Sequence, residues 1–333
     1  MKAVLSRQAG DFSSLILEDI PAPVAGPGKV VVSVKACSIN FPDVLMIEDK
    51  YQVKPQRPFS PGGEVGGVIK ALGEGVTGLK VGDRVIGSMT VGGMAEEALV
   101  EAARITRIPD VMPYDEAAAL LMTYATSYYA LKNRASVKPG ETVLVLGAAG
   151  GVGLSAVELA KAMGARVVAA CSSQEKVDLA KSRGADVGVV YPRDRLDRTA
   201  QKALSEAFKA AVGPKGADVI YDGIGGDYAE PALRAIAWEG RFLVIGFAAG
   251  EIPKIPLNLA LLKSADIRGV FLGAWQNQFP DAARQNNQEL LDLYVAGKIK
   301  PYVSAHFPLA DGARAIAQLA DRKALGKVVV TVD

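Results

Sequence analysis

The sequence predicts an α/β protein in which a domain with a doubly wound parallel sheet is inserted into a β-rich domain. Three observations support this prediction: β-prone runs over the first 110 residues, a strand–helix rhythm that begins near residue 115, and a mixed final segment. The length of 333 residues suits about two domains. Half of the residues are hydrophobic, so both domains can bury a core, and disorder is excluded as the dominant state.

The β-rich part is indicated by short β-prone runs that Gly and Pro separate. These runs are Lys29–Ala36, Val65–Ala71, Arg84–Ile86 and Glu97–Val100. Turn-forming sequences such as Pro27-Gly28 and Pro61-Gly62-Gly63 lie between them. This pattern predicts a compact antiparallel barrel or sandwich.

The parallel sheet is indicated by apolar runs that alternate with helical segments, after a first helix predicted over Asp115–Lys132. The predicted strands are Thr142–Leu146, Arg166–Cys171, Val187–Tyr191, Ala217–Tyr221, Arg241–Gly246 and Ile267–Leu272. The predicted helices between them are Gly151–Met163, Gln174–Arg183, Thr199–Val212 and Tyr228–Trp238. Each helix ends near a Gly that suits its C-terminus, and such alternation predicts right-handed βαβ units.

The final segment mixes both kinds of element. Helices are predicted over Gln288–Ala296 and Asp311–Asp321, an extended piece over His306–Leu309, and a last strand over Val328–Val332. The segment is too short for a domain of its own, so we expect it to rejoin the N-terminal β-rich domain.

The counts of His and Cys exclude several chemistries. His306 is the single histidine, and Cys37 and Cys171 are the two cysteines. A disulfide scaffold and a four-Cys structural zinc site are therefore excluded, and a catalytic zinc site built from Cys, His and a third ligand would have to use these three residues. A Ser-His-Asp triad would need His306, and no G-x-S-x-G motif occurs. His306 is expected to be a packing or surface residue.

Charge and hydropathy favour a cytoplasmic protein with a small-molecule partner. The net charge of +2 gives no reason to expect nucleic acid or a membrane surface as a partner. No long apolar leader follows Met1, and the longest apolar stretch, Val143–Val157, is too short to span a bilayer.

A glycine loop follows the first predicted strand of the parallel sheet and opens a helix. Its sequence from Gly147 to Gly153 is G-A-A-G-G-V-G. Small residues let the backbone turn tightly and approach a pyrophosphate, whose charge the helix N-terminus favours. The loop predicts a dinucleotide-binding site that includes Gly150, Gly151 and Val152.

The end of the second strand indicates which dinucleotide binds. An acidic residue there would hold the ribose 2′-hydroxyl of NAD, but the strand ends in Cys171-Ser172-Ser173, and the first acid is Glu175. Ser172 can donate a hydrogen bond to a 2′-phosphate, and Lys176 adds positive charge. Tyr191, at the end of the third strand, is expected to cover the adenine. NADPH is therefore the predicted cofactor.

These residues resemble the medium-chain dehydrogenase/reductase superfamily and, within it, the zinc-free quinone oxidoreductase (ζ-crystallin-like) branch. The resemblance covers the whole chain and depends on the glycine loop and on Asn40–Asp43, Pro61–Gly67, Val81–Val85 and Gly326–Val329. It implies a GroES-like catalytic domain of residues 1–124 and 266–333. A Rossmann NADPH-binding domain of residues 125–265 would be inserted into it.

The resemblance also implies that no zinc takes part. The positions of the zinc ligands of alcohol dehydrogenases correspond here to Asn40, Gly63 and a residue near Met122. None of these three residues is of a type that ligates the zinc in alcohol dehydrogenases. The lobe that holds four Cys in those enzymes is also missing, since residues 87–101 contain no Cys.

Further cofactor contacts are implied by the same resemblance. Asn40 and Thr126 are expected near the nicotinamide and its ribose. The segment Gly246, Phe247 and Ala248 is expected at the carboxamide, with Leu272 helping to wall it. Arg322 and Lys327 are expected to reach the adenosine phosphates.

The implied reaction is hydride transfer from NADPH to an acceptor that is already electrophilic. The product anion needs a proton, for which Tyr51 is the expected donor, with Asp43 organising the site. The alternatives are that Tyr51 only lines the pocket, that Asp43 is structural, and that water supplies the proton.

Three functions stay open. The acceptor is a quinone in the first and a conjugated C=C bond (enone, acrylate or enoyl-CoA) in the second. In the third, the chain binds NADPH without being an enzyme. Relatives of this kind pair through the edge strand of the Rossmann domain, here Ile267–Leu272, so we expect a homodimer.

Overall fold

The computed structural model describes residues 1–193 and 195–333, which form two compact units. The first unit contains Met1–Met122 and Lys300–Asp333, and the second contains Thr123–Ile299. The second unit is thus inserted into the first along the chain, as the sequence predicted.

The first unit begins with strands and two short helices. Its strands before the insertion are β1 (Lys2–Ser6), β2 (Leu15–Asp19), β3 (Lys29–Ile39), β4 (Glu64–Leu72), β5 (Arg84–Ser88), β6 (Glu97–Glu101) and β7 (Ile105–Arg107). Its helices there are α1 (Phe41–Ile47) and α2 (Tyr114–Ala118). The buried valines of β3 show why it is central, since both faces of this long strand meet the core.

The second unit contains a parallel sheet covered by helices. Its strands are β8 (Thr142–Leu146), β9 (Arg166–Cys171), β10 (Val187–Val190), β11 (Ala217–Asp222), β12 (Ile236–Val244) and β13 (Asp266–Gly269). Its helices are α3 (Thr126–Tyr128), α4 (Gly151–Ala162), α5 (Gln174–Ser182), α6 (Arg198–Val212), α7 (Ala229–Leu233), α8 (Asn258–Lys263), α9 (Leu272–Gln278) and α10 (Pro280–Val295). The strand order β10-β9-β8-β11-β12-β13, all parallel, is that of a Rossmann fold.

The chain then returns to the first unit through β14 (Val303–Pro308), α11 (Gly312–Ala320) and β15 (Lys327–Thr331). Among the described residues the sheet order is β14-β15-β3-β4-β5-β7, and β6 also pairs with β3. The pairing of β15 with β3 sets Val328 opposite Ile39. This register brings Lys327 to the end of β3, where Asn40 follows.

The second boundary between the units differs from the expected one. Residues 266–299, expected in the catalytic domain, lie in the second unit. The reason is strand pairing, because β13 extends the parallel sheet next to β12. Leu272, expected at the end of this strand, is instead the first residue of α9.

Two predicted helices are shorter than expected in the structure. The helix predicted over Asp115–Lys132 leaves α-helical geometry after Ala118, and wider, π-helical turns surround α3. Backbone N–H groups of Leu121 and Met122 bond to the carboxylate of Glu64 at this point. The helix predicted to end at Trp238 stops at Leu233, because the following residues already belong to β12.

The structure contains no helix, within the ranges it describes, that is both long and apolar enough to span a membrane.

Candidate functional site

The glycine loop turns sharply from β8 into α4. Gly147 has a φ of 68°, a left-handed conformation that favours glycine. A Cβ at Gly153 would lie 2.1 Å from the carbonyl oxygen of Gly147, so this position also needs glycine for close packing. Gly150 is the N-cap of α4, followed by Gly151 and Val152 in its first turn. The first N–H groups of α4 have no partner within the helix and suit an anion.

The loops that follow β11 and β12 lie side by side. Asp222 ends β11 and is 3% exposed, and its Oδ1 accepts hydrogen bonds from the N–H groups of Ile224 and Gly225 at 2.8 Å each. The backbone N–H of Ala248 donates to Gly223 O at 3.2 Å. The predicted segment Gly246–Ala248 is thus joined to the loop after β11. Burial raises the pKa of Asp222 to about 6.

These loops occur where parallel sheets bind ligands. The chain reverses its direction of travel across the sheet between β8 and β11, and ligands bind at such a point beyond the carboxyl ends of the strands.

A network of hydroxyl groups is hydrogen-bonded to the first turn of α4. Ser127 Oγ lies 2.9 Å from Val152 O, to which it donates, and 2.8 Å from both Ser155 Oγ and Tyr221 Oη. Thr126, a predicted cofactor residue, is adjacent to Ser127 in α3. The sequence did not indicate this network, because its members come from three separate elements.

The predicted 2′-phosphate residues are neighbours. Ser173 caps α5 by accepting a hydrogen bond from the N–H of Lys176 at 3.3 Å, and Lys176 Nζ lies 3.4 Å from Ser172 Oγ. Burial lowers the pKa of Lys176, and the positive charge of Arg193 lowers it further. Arg193 was not predicted as part of this site. Two neighbouring cations, of which Lys176 lies beside a hydroxyl, form a favourable place for an anion.

The other predicted cofactor residues are more scattered. Tyr191 is buried, and its ring packs against Tyr228 with centroids 4.8 Å apart. Leu272 opens α9, and Arg322 follows α11 in the first unit with a φ of 56°. Their contacts with a cofactor stay predictions.

The first unit contains a buried polar cluster, which we define as Ser38, Asn40, Asp43, Glu64 and Lys327. Each of these residues is at most 6% exposed. Lys327 was expected to reach the adenosine phosphates. That expectation is wrong, because its Nζ is buried and donates to Ile39 O at 3.1 Å and to Asn40 Oδ1 at 2.5 Å.

Backbone and side-chain donors hold the two carboxylates of this cluster. Asp43 accepts hydrogen bonds from the N–H groups of Asn40 at 2.7 Å and Gly62 at 2.9 Å. Glu64 accepts them from Ser38 Oγ at 3.2 Å and from the N–H of Met122 at 3.0 Å. Burial raises the pKa of Asp43 to about 6 and that of Glu64 to about 7. Burial also lowers the pKa of Lys327, against the effect of both carboxylates.

Tyr51, the expected proton donor, is half-buried beside this cluster. Burial raises its pKa, and the negative charge of Asp43 raises it further. The structure therefore brings the two predicted catalytic residues into one electrostatic environment, in which Tyr51 keeps its proton at neutral pH.

The residues at the zinc positions do not fit a metal ion. A Cβ at Gly63 would lie 3.0 Å from Met89 O and 3.3 Å from Met122 Cε, which leaves no room for an imidazole. The carboxamide oxygen of Asn40 is already bound by the ammonium of Lys327, whose charge repels a cation. In the part of the chain that is described, no three His, Cys, Asp or Glu side chains form a group that could hold a metal.

Comparison with known proteins agrees with the fold and the motifs. The model of the alcohol dehydrogenase GroES-like domain matches residues 26–110, and that of the zinc-binding dehydrogenase family matches residues 151–287. A quinone oxidoreductase-like protein 2 homolog from Nematostella vectensis is 38% identical over 99% of this chain and 88% of its own.

Solved structures are similar over nearly the whole chain. A mycobacterial protein complexed with NADPH has a TM-score of 0.91 and 31% identity, covering 99% of both chains. The Escherichia coli quinone oxidoreductase complexed with NADPH has a TM-score of 0.90 and 26% identity, covering 99% of this chain and 100% of its own. The chain is therefore an oxidoreductase that belongs to the medium-chain dehydrogenase/reductase superfamily and, within it, to the quinone oxidoreductase branch.

Proposed function

We propose that this NADPH-dependent oxidoreductase transfers a hydride to a quinone and uses no zinc. The observation that carries the proposal is the combination of the glycine loop with the Ser172–Lys176 pair. The loop has room for a pyrophosphate, since a Cβ at Gly150 would meet only Gly147 O, at 3.4 Å. The pair suits a 2′-phosphate, and two similar structures contain NADPH.

The residues of this chain then bind, orient and protonate. When bound, NADPH supplies the hydride. The N-terminus of α4 binds the pyrophosphate, and Ser172 and Lys176 bind the 2′-phosphate. Asn40, Thr126 and the segment Gly246–Ala248 orient the nicotinamide end. Since no metal polarises the acceptor, it must be electrophilic by itself, as a quinone is.

Tyr51 supplies the proton to the hydroquinone anion in this proposal. Its raised pKa keeps the phenol protonated at neutral pH, so the proton to be donated is present on Tyr51. Asp43 organises the site through its hydrogen bonds to Asn40 and Gly62.

Turnover with different acceptors tests the function. We expect the purified protein to consume NADPH with a panel of quinones and much more slowly with enones, acrylates and enoyl-CoAs. Faster reduction of the conjugated C=C compounds would assign the protein to double-bond reduction. Tight NADPH binding without turnover of any acceptor would favour a non-enzymatic role.

Replacement of Lys176 tests the cofactor assignment. Lys176→Ala is expected to weaken NADPH binding about tenfold, because a charge-assisted contact with the 2′-phosphate is lost, and to leave NADH binding nearly unchanged. Titration of cofactor fluorescence measures both. Lys181→Ala, on the same helix, is the control that should change neither. Equal losses for the two cofactors would remove the 2′-phosphate assignment.

Metal removal tests the absence of zinc from the reaction. We expect prolonged treatment with a chelator to leave the rate of NADPH oxidation unchanged, because Asn40, Gly63 and Met122 do not fit a zinc ion. Loss of activity that added zinc restores would contradict this expectation.

We also propose a homodimer through the edge of the parallel sheet. In the described sheet β13 is a terminal strand, and Ile267 on it is 40% exposed. Phe271 and Phe279, which follow it, are also exposed. An exposed edge strand presents unpaired backbone groups that readily pair with a second chain. Ile267→Lys is expected to shift the protein to monomers in sedimentation experiments.

A further inference from the structure

We infer that Lys327 is a positioning residue for the hydride transfer, because its buried ammonium fixes the carboxamide of Asn40. The inference rests on the proposed function, which gives Asn40 a contact with the nicotinamide end of the cofactor. Lys327 itself touches neither cofactor nor substrate in this scheme.

The backbone delivers Lys327 to the interior. Gly326, with a φ of 60°, approaches Tyr302 so closely that a Cβ would lie 2.4 Å from Tyr302 O. The N–H of Lys327 donates to the same oxygen at 2.8 Å. Val328 then pairs opposite Ile39, so the side chain of Lys327 enters the protein at the end of β3.

The ammonium determines how the Asn40 side chain is oriented. Lysine carries only donors, so the atom that faces it at 2.5 Å must be the carboxamide oxygen. Asn40 Nδ2 is then turned towards Ser38, 3.2 Å from its Oγ. Since the N–H of Asn40 is also held by Asp43, both the backbone and the side chain of Asn40 are fixed.

Charge balance makes this arrangement possible. The groups that face Lys327 are Asp43 from α1, Glu64 from β4, and Cys37 and Asn40 from β3 and its end. The two carboxylates compensate the buried ammonium. Buried ion pairs are weak contributors to stability, and apolar residues of similar volume often replace them without loss. A buried charged cluster at this place therefore indicates a role in orientation.

A double-mutant cycle tests the inference, with Lys327→Met, Asn40→Ala and the double variant. We expect Lys327→Met to lower kcat for the preferred quinone about tenfold, with little change in KM for NADPH, since misplacement of a contact slows the transfer. In the Asn40→Ala background the same replacement should lower kcat less than twofold. Lys70→Met, on the surface, is the control and should leave kcat unchanged.

The outcomes separate the two proposals. Equal losses of kcat in both backgrounds would show that Lys327 acts only on the fold and would overturn the inference. If Lys327→Met does not fold, Lys327→Arg in both backgrounds provides the same comparison, because it keeps the charge and displaces the donor. If the wild-type protein oxidises NADPH with none of the acceptors tested, the proposed function itself is overturned, and the inference with it.

Discussion

Gly150→Ala is expected to fold like the wild type and to lose about a hundredfold in affinity for NADPH, which is about 2.7 kcal/mol. Gly150 has φ −79° and ψ 171°, a conformation that alanine adopts easily. The added methyl group meets no protein atom closer than 3.4 Å. It would occupy the space in front of α4, where the backbone must approach a pyrophosphate.

Gly153→Ala is the matched variant, with the opposite expectation. Its methyl group would lie 2.1 Å from Gly147 O and 2.9 Å from Ala148 Cα, both of which are backbone atoms that cannot rotate away. We expect it to destabilise the protein by about 1–3 kcal/mol, as overpacking does. Thermal unfolding without cofactor and fluorescence titration with NADPH distinguish the two variants. A Gly150→Ala protein that binds NADPH as the wild type does would contradict this account of the loop.

The sequence signals that predict a nucleotide-binding site are local. The glycine loop lies between a strand and a helix that adjoin it in sequence, and Ser172 and Lys176 are one helical turn apart. The parallel direction of the strands follows from their alternation with helices, together with the handedness of the crossovers. The glycine loop and the end of the second strand lie within about 20 positions of each other.

The polar cluster was not predictable in the same way. Lys327 and Asn40 are 287 positions apart, and only the pairing of β15 with β3 brings them together. A lysine near a chain end is ordinarily a solvated charge, so the sequence gives no reason to place it in the interior. The interruption of the helix near Leu121 has the same origin, because the carboxylate of Glu64 that receives its N–H groups comes from a distant strand.

The helix predicted up to Trp238 failed for a local reason. Gly240 suggests a helix end, yet it lies within β12, where the register jumps from Ala217 opposite Ile236 to Val219 opposite Arg241. Glu239 has a φ of 56° in this bulge. Sequence patterns do not distinguish a glycine in a bulge from one that ends a helix.

Asp222→Asn is expected to become more stable relative to the wild type by about 3 kcal/mol in the free energy of unfolding as the pH rises from 4 to 8. Burial raises the pKa of Asp222 from 3.8 to about 6, so the folded protein binds this proton more tightly than the unfolded chain does. The protonated carboxyl therefore stabilises the folded state fully below about pH 4, and this stabilisation is lost as the pH rises through about 6. Two pKa units correspond to about 3 kcal/mol.

The asparagine variant should keep the loop while it loses this titration. Both hydrogen bonds from Ile224 and Gly225 go to one oxygen, Oδ1, which asparagine retains. Urea unfolding at pH 4 and pH 8 should show the stability of Asp222→Asn, relative to the wild type, improving by about 3 kcal/mol between the two. Asp178→Asn, an exposed residue on α5, is the control. A constant difference between the two proteins at both pH values would contradict the buried titration.

Asp222→Ala separates the charge of this residue from its hydrogen bonds. Alanine removes the acceptor of both N–H groups and leaves the buried one, that of Gly225, without its partner, which costs about 1–3 kcal/mol at every pH. The loop after β11 would then no longer fix Gly246–Ala248, so the affinity for NADPH should fall as well. An asparagine variant that is more stable at pH 8 and keeps full activity would show that the site needs only the acceptor oxygen. An asparagine variant that is more stable at pH 8 but has a lower kcat would show that the reaction needs the negative charge of Asp222. The wild type would then give up stability for activity at this position.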